Sequence, residues 1–203
     1  MKIRLLIFTF LCSVLSWGQV TIASDGLNNA TTLFSLTSGA YYSGNSAASG
    51  DLPASSPFAI EGTHSFGISS SSSTTATAIL TSNANISTCG YSSVTMSLRL
   101  ASFSVTSTSN GADAGDIVTV EVSPDGGSTW FSTVRVLGNS NATWAYSSTG
   151  IASATYDGNV TPTDFQPAGG GNRTTDGYST IQVTGLPSVN TLKFRITLLN
   201  NDI

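Results

Sequence analysis

The chain has 203 residues, of which only 9% are charged, with 7 Lys and Arg against 11 Asp and Glu and a formal net charge of −4. This composition argues against nucleic-acid binding, which needs a clustered basic face, and the 39% of hydrophobic residues argue against a disordered chain. About three residues in ten are Ser or Thr, so hydroxyl groups supply much of the polarity, which suits the exposed faces of β-sheets.

The first residues have the three parts of a signal peptide. Lys2 and Arg4 form a basic start, an apolar run follows, and a small-x-small cleavage site ends at Gly18. We therefore predict a signal peptide over 1–18 and one exported domain over 19–203, secreted or held at the cell surface. An uncleaved N-terminal anchor is the alternative, and no later stretch has the roughly 20 apolar residues of a transmembrane helix. Cleavage leaves five basic residues against 11 acidic ones, a net charge of −6.

Apolar and polar residues alternate along much of the exported chain, which is the pattern of strands with one buried face. The clearest runs are 94–100, 118–122 and 192–198, and no stretch has a convincing helical period. Weaker runs predict further strands at 20–23, 58–60, 64–68, 76–81, 130–137, 143–146, 152–156 and 179–183. Turn-forming residues separate the runs. The sequence therefore predicts an all-β fold, an antiparallel two-sheet β-sandwich of the jelly-roll type.

Two segments are predicted to be long loops. Residues 69–75 are all Ser or Thr, and residues 161–177 contain two prolines and three consecutive glycines. Loops of this length in a compact domain are usually functional or disordered.

Cysteine and histidine are scarce in the exported chain. Cys89 is the one cysteine left after cleavage, so no disulfide within the chain is expected, and a buried structural thiol is the favoured role for it. His64 is the only histidine. A zinc site built from several histidines is therefore excluded, and any Ser-His-Asp triad would depend on that one residue.

Aromatic side chains beside polar turns are candidates for stacking on sugar rings. The predicted ligand-binding residues are Tyr41, Tyr42, Trp144, Tyr146 and Tyr178, with Tyr156 beside the same kind of turn. Filling of the sandwich core or its rim is the alternative for each of them. The partner that this pattern predicts is an extracellular polysaccharide or another glycan.

One loop contains oxygen ligands at short spacing. Asn110, Asp113 and Asp116 lie within seven residues, which suits calcium, although the EF-hand register and its final Glu are missing. Ordinary Asx turns are the alternative and the favoured one. Apart from this calcium ion, no cofactor is predicted.

The segment from Ser123 to Trp130 fits the Asp box, S-x-D-x-G-x-T-W, known from sialidases and other secreted β-proteins. Its fixed positions are Ser123, Asp125, Gly127, Thr129 and Trp130. We expect the Asp125 carboxylate to accept backbone N–H groups, the two glycines to adopt positive φ, and the Trp130 ring to pack on the hairpin. Because the box occurs once, whereas sialidases repeat it on propeller blades, it predicts a stabilised hairpin and not a sialidase.

A catalytic role is not favoured by the acidic residues. Glycosidases use two carboxylates, and the only glutamates are Glu61, in a predicted turn, and Glu121, on the polar face of a predicted strand. Spacing alone selects no pair, so no catalytic residue is assigned.

A wider resemblance rests on three segments and on the end of the signal peptide, Ser-Trp-Gly-Gln. The segments are the hairpin V-E-V-S-P-D-G-G-S-T-W at 120–130, the turn-rich stretch at 168–180, and the strand that ends in I-T-L-L-N-N-D at 196–202. Together they resemble β-sandwich modules of secreted multidomain Bacteroidota proteins of the type IX secretion cargo kind. The resemblance covers most of 20–203, and none of its motifs is diagnostic of an activity.

The resemblance also implies that the chain is a fragment. In such modules a strand of the form acidic-x-aromatic-x-I-D-D-hydrophobic usually follows, and further domains with a sorting signal often come after it. The chain stops at Ile203, which implies a truncated sandwich with an unpaired sheet edge and further domains in the same gene product. We therefore predict a non-catalytic module with a carbohydrate-binding, spacer or adhesion role. The alternative is a fragment of an extracellular hydrolase, such as a glycosidase, with its catalytic part beyond residue 203.

Overall fold

The computed structural model describes most of the chain after the predicted signal peptide. The described residues are 19–43, 59–60, 62–69, 76–103, 111–171 and 175–201. The predicted signal peptide therefore lies outside them, as do Glu61, Asn110 and most of the predicted loop at 69–75.

Eleven strands form within the described residues. They are β1 (Phe34–Thr37), β2 (Ala40–Ser43), β3 (His64–Gly67), β4 (Ala76–Ser82), β5 (Val94–Arg99), β6 (Ile117–Ser123), β7 (Phe131–Leu137), β8 (Gly150–Thr155), β9 (Thr163–Phe165), β10 (Tyr178–Leu186) and β11 (Lys193–Asn200). The described part contains no helix, so the predicted all-β class is confirmed. No helix capable of crossing a membrane is found in that part of the chain.

The strands form three sheets. A six-stranded sheet has the order β1-β4-β11-β6-β7-β9, a three-stranded sheet has the order β5-β10-β8, and β2 and β3 form a separate hairpin. Most neighbours are antiparallel, as predicted, but β7 pairs with β9 and β8 with β10 in parallel. Consecutive strands seldom lie side by side, so the chain crosses repeatedly between the two larger sheets.

The two larger sheets share one apolar core, as in a sandwich. Val120 and Val134 of the six-stranded sheet are fully buried, and Ile181 and Val183 of the three-stranded sheet are buried with them. These side chains occupy alternate positions, which explains why a two-residue period was visible in the sequence. Burial of each such side chain contributes about 1.5–3 kcal/mol to folding.

Two predicted strands are absent from the described fold, and a third is described only in part and shows no strand there. Residues 143–146 are all buried, and the one bridge they make is that of Trp144 with Ser102, while the preceding residue, Ala142, makes a single bridge with Ala112. Their alternating sequence was misleading because both faces of this segment pack inside the protein. Residues 20–23 also form no strand, and of the predicted strand 58–60 only 59–60 are described, without strand structure.

Three observed strands were not predicted. β1 and β2 lie in a stretch rich in Ser, Thr and Gly, and β9 lies inside the predicted loop at 161–177. β9 is three residues long and exists because Thr163, Asp164 and Phe165 pair with β7. Such a short strand is defined by its neighbour and has almost no pattern of its own.

Candidate functional site

The hairpin between β6 and β7 is tied by the side chains of Ser123 and Asp125. The Ser123 hydroxyl donates to Asp125 Oδ1 at 2.8 Å and accepts the Gly127 N–H at 2.8 Å, and Asp125 Oδ1 also accepts the Thr129 N–H at 2.8 Å. Gly126 and Gly127 have φ of 77° and 98°, which favours glycine. The Thr129 N–H, with the Ser123 hydroxyl, lowers the pKa of Asp125 to about 2. These groups act on the turn itself, so their role is structural.

Replacing Asp125 with asparagine is expected to lower the melting temperature by a few degrees, because the amide is a weaker acceptor for the Thr129 N–H. The depressed pKa means that the carboxylate's contribution to stability is complete above the ordinary Asp value, 3.8, and is lost as the pH falls towards about 2. Thermal melts of both proteins at neutral pH and near pH 2 measure this. The gap between the two melting temperatures should narrow in acid, and a constant gap would contradict the assignment.

Charged side chains gather on the outer face of the six-stranded sheet. Of the five basic residues that follow the predicted signal peptide, three lie there, and two acidic residues lie between them. We define this set as the charged face: Glu121, Arg135, Asp164, Lys193 and Arg195. It arises because β11, β6, β7 and β9 are neighbours and their alternate residues point to the same side.

Two arginine–carboxylate pairs organise the charged face. Arg195 holds Glu121 through Nε and Nη2, the latter at 2.8 Å from Oε1, and Arg135 holds Asp164 at 2.7 and 2.6 Å. The first pair is partly buried, with side chains 33% and 14% exposed, and the second is open, at 39% and 43%. Hydrogen bonding from Arg135 lowers the pKa of Asp164, and hydrogen bonding to Glu121 raises that of Arg195. Asp164 and the two arginines are therefore charged across the whole neutral range.

Trp130 joins the charged face at the hairpin end. The Arg195 guanidinium carbon lies 4.5 Å from the centroid of the indole ring, a cation–π distance, and the ring is half-buried. This contact holds the Arg195 guanidinium against the Trp130 ring at the hairpin end of the charged face.

Two of the predicted sugar-stacking residues lie inside the protein. Trp144 is 3% exposed and its indole N–H donates to the Leu100 carbonyl at 3.3 Å, whereas Tyr146 is 9% exposed and packs edge-on against Phe103. Their neighbouring turns are polar, but the rings point inwards, because a small domain buries large apolar surfaces first. Neither ring offers a face to a sugar in this fold.

The other three predicted residues are half-buried and lie in two separate places. Tyr178 packs edge-on against Phe165, with ring centroids 5.5 Å apart, at one margin of the sandwich. Tyr41 packs edge-on against Phe66 in the β2–β3 hairpin, where the Tyr42 hydroxyl bonds to Ser69 at 3.1 Å. The structure therefore does not bring the five predicted rings together on one surface.

The predicted calcium loop is described from Gly111 onwards, so Asn110 lies outside the described residues. Asp116 Oδ2 accepts the Asp113 N–H at 3.1 Å, and Asp116 Oδ1 accepts the Asn201 N–H at 2.6 Å. These bonds tie the loop to the end of β11. Within the described ranges, no three His, Cys, Asp or Glu residues form a group that could hold a metal ion.

Cys89 is exposed, so the prediction of a buried thiol is wrong. It occupies a turn in which the preceding residue, Thr88, is 1% exposed and bonds to Pro187 and Val189. Because Thr88 takes the inward position, Cys89 points to solvent.

A cleft of about 720 Å³ lies between the two larger sheets along β5. We call it the β5 cleft. Its lining is mostly apolar and includes Ile196 and Leu198 of the six-stranded sheet, and among the predicted binding residues Tyr42, Trp144 and Tyr146. The volume is typical of ligand sites, but the apolar lining does not suit a hydroxyl-rich sugar.

Comparison with known proteins gives no family for this chain: no family model, no curated protein and no solved structure matches it.

Proposed function

We propose that the protein is an exported, non-catalytic β-sandwich module that binds polysaccharide through the charged face. The observation that supports this is the gathering of two arginine–carboxylate pairs and a tryptophan on one sheet face of a chain with only 9% charged residues. Where charge is scarce, its concentration on one rigid surface indicates recognition rather than general solubility.

The chemistry of the charged face fits a sugar surface. A guanidinium has five N–H donors, and Arg135 and Arg195 use Nε and Nη2 for their carboxylates, so Nη1 is not used in these bonds. The carboxylates of Glu121 and Asp164 have further lone pairs for hydroxyl donors. Each sugar hydroxyl can donate and accept, so an arginine can donate to one hydroxyl while its paired carboxylate accepts from a neighbouring hydroxyl. The β-strands below hold these groups in fixed positions, which limits the entropy lost on binding.

The proposal also includes export of the protein and further domains in the same gene product. The signal-peptide pattern at 1–18 directs the chain to the exterior, where polysaccharides are met, and the resemblance to modules of multidomain Bacteroidota proteins adds further domains of the same gene product as companions. A calcium ion at the Asp113–Asp116 loop remains a separate element of the proposal, to be tested with chelator.

The test is a glycan-array and polysaccharide pull-down screen with the purified protein and with the Arg135→Ala/Asp164→Ala double variant. The double variant keeps the net charge and removes the exposed pair, whose contribution to stability is small, at about 0–1 kcal/mol. We expect binding to fall by about tenfold or more, as for a central arginine of an interface. Running each arm with calcium and with chelator shows whether the Asp113–Asp116 loop takes part.

Gln182→Ala is the matched control, because Gln182 lies on the outer face of the other sheet, in β10. This variant should bind like the unchanged protein. If the double variant bound as well as the unchanged protein, the polysaccharide site would lie outside the charged face. Failure of the folded protein to bind any glycan would overturn the proposal and leave a structural spacer role.

A further inference from the structure

The charged face is the basic part of an acidic chain. It holds three basic and two acidic residues, a formal charge of +1. The other residues after position 18 include two basic and nine acidic ones, a formal charge of −7. Because salt screens charges beyond about 8 Å at physiological ionic strength, a ligand on this face meets its local charge and not the charge of the whole chain.

Lys193 supplies the excess positive charge of the face. The two arginines each hold a carboxylate, so their charges are balanced, whereas no ion pair among the described residues includes Lys193. Asp125, in the adjoining hairpin, is held within its own turn by the Ser123 hydroxyl and the Thr129 N–H. The Lys193 ammonium therefore has three donors and a full charge to offer to an anionic group.

Gly127 leaves a gap between Lys193 and Trp130. A Cβ built on Gly127 would lie 3.5 Å from Cζ2 of Trp130 and 3.8 Å from Cδ of Lys193. Both are ordinary van der Waals distances, so bare backbone lies between the indole edge and the lysine stem. A sugar ring placed there would contact the indole and bring an anionic substituent within reach of the ammonium.

The three cations of the charged face are spread out. Lys193 and Arg195 are two positions apart on β11, about 7 Å. Arg135 pairs with Thr119, and Thr119 pairs with Thr197, so Arg135 lies two strands away from β11 and level with Thr197. From Lys193 to Arg135 the distance across the sheet is about 17 Å. A polymer with repeated groups can span this distance, whereas a single small anion cannot.

We propose that the polysaccharide bound by the charged face is acidic, with an anionic group on Lys193 and its sugar ring over Gly127 beside Trp130. The inference rests on the polysaccharide-binding function proposed above and names its substrate class. Charge complementarity supports it, because the excess charge of this face is positive in a chain that is otherwise acidic. The anionic group is a carboxylate or a sulfate, since a lysine binds either one as a point charge.

The probes are polygalacturonate, which has a carboxylate on each sugar, and its methyl ester, which has the same backbone without the charge. Binding to the full chain is measured by affinity electrophoresis and by calorimetry at about 0.15 M salt. We expect the acid to bind at least about tenfold more tightly than the ester, and the preference to shrink as salt is raised. Dextran sulfate, compared with neutral dextran, distinguishes a sulfate ligand from a carboxylate ligand.

Three variants test the position of the anionic group. Lys193→Gln removes the charge and should weaken binding of the acidic probe by about tenfold, without a change in binding of its neutral counterpart. Lys193→Arg keeps the charge and should retain the preference for the acid. Gln182→Glu is the matched control, because it makes the same change in net charge on the outer face of the other sheet and should bind like the unchanged protein. Thermal melts by circular dichroism show that each variant is folded.

The outcomes separate this inference from the function on which it rests. Equal binding of the acidic and neutral probes, with loss of both in the Arg135→Ala/Asp164→Ala variant, would overturn the acidic ligand and leave polysaccharide binding in place. Equal losses in Lys193→Gln and Gln182→Glu would show an effect of net charge alone and overturn the site at Lys193. No binding of any glycan by the folded protein would overturn both proposals.

Discussion

Replacing Gly177 with alanine is expected to lower the free energy of unfolding by about 3 kcal/mol, the upper end of the usual cost of overpacking a core. A Cβ at this position would lie 1.9 Å from Cγ and 2.1 Å from Cβ of Trp144. Trp144 cannot move aside cheaply, because it is 3% exposed and its N–H is bonded to the Leu100 carbonyl. The added methyl group must therefore displace either the ring or the backbone before β10.

Urea denaturation followed by tryptophan fluorescence measures this effect, and near-ultraviolet circular dichroism reports whether the Trp144 ring has shifted. Gly26→Ala is the matched control, since a Cβ there meets no atom within 4 Å. That control should stay within about 0.5 kcal/mol of the unchanged protein. If Gly177→Ala were equally neutral, the close packing of Trp144 on Gly177 would be wrong, and with it the interior position of this ring.

The sequence predicted strands well where one face is buried and the other is wet. β5, β6 and β11 were expected at 94–100, 118–122 and 192–198 and are found within two residues of those bounds. Each has apolar side chains on the core side and Thr, Ser or charged residues on the other, so a two-residue period is visible. Where both faces of a segment are buried, as at 143–146, alternation in the sequence does not mark one buried and one exposed face. A strand of three residues, such as β9, is too short to show a two-residue period.

The candidate sites were harder to predict because they depend on which strands become neighbours. Glu121 and Arg195 are 74 positions apart, and each alone is an ordinary polar residue on a strand face. Only the register of β6 with β11 places them side by side. The aromatic candidates failed for the opposite reason, since polar turns beside Trp144 and Tyr146 indicated exposure while the rings themselves are buried.

Replacing Arg195 with methionine is expected to lower the free energy of unfolding by about 2 kcal/mol. Breaking a fully buried ion pair costs about 3–5 kcal/mol, and an exposed pair is worth about 0–1 kcal/mol. The Glu121–Arg195 pair lies between these limits, because its side chains are 14% and 33% exposed. Methionine leaves the shielded Glu121 carboxylate without its two hydrogen bonds and removes the contact with the Trp130 ring.

A double-mutant cycle with Glu121→Gln isolates the interaction. Adding Glu121→Gln to Arg195→Met removes the uncompensated charge, so the double variant should regain about 1 kcal/mol relative to Arg195→Met alone. Arg135→Met is the matched control on the same face, and its more exposed pair predicts a loss of at most about 1 kcal/mol. Strict additivity of the two single changes would mean that the pair contributes nothing to the stability of the sheet.

The same variants separate stability from recognition. If the charged face binds polysaccharide, the Glu121→Gln/Arg195→Met protein should be more stable than Arg195→Met and still bind poorly, because methionine cannot donate hydrogen bonds to a sugar. If the pair serves folding alone, every variant that is fully folded should bind polysaccharide like the unchanged protein. A pull-down at a temperature where all the variants are fully folded distinguishes these outcomes. The double variant binds polysaccharide poorly if Arg195 contacts the sugar, and it binds normally if Arg195 contributes only to stability.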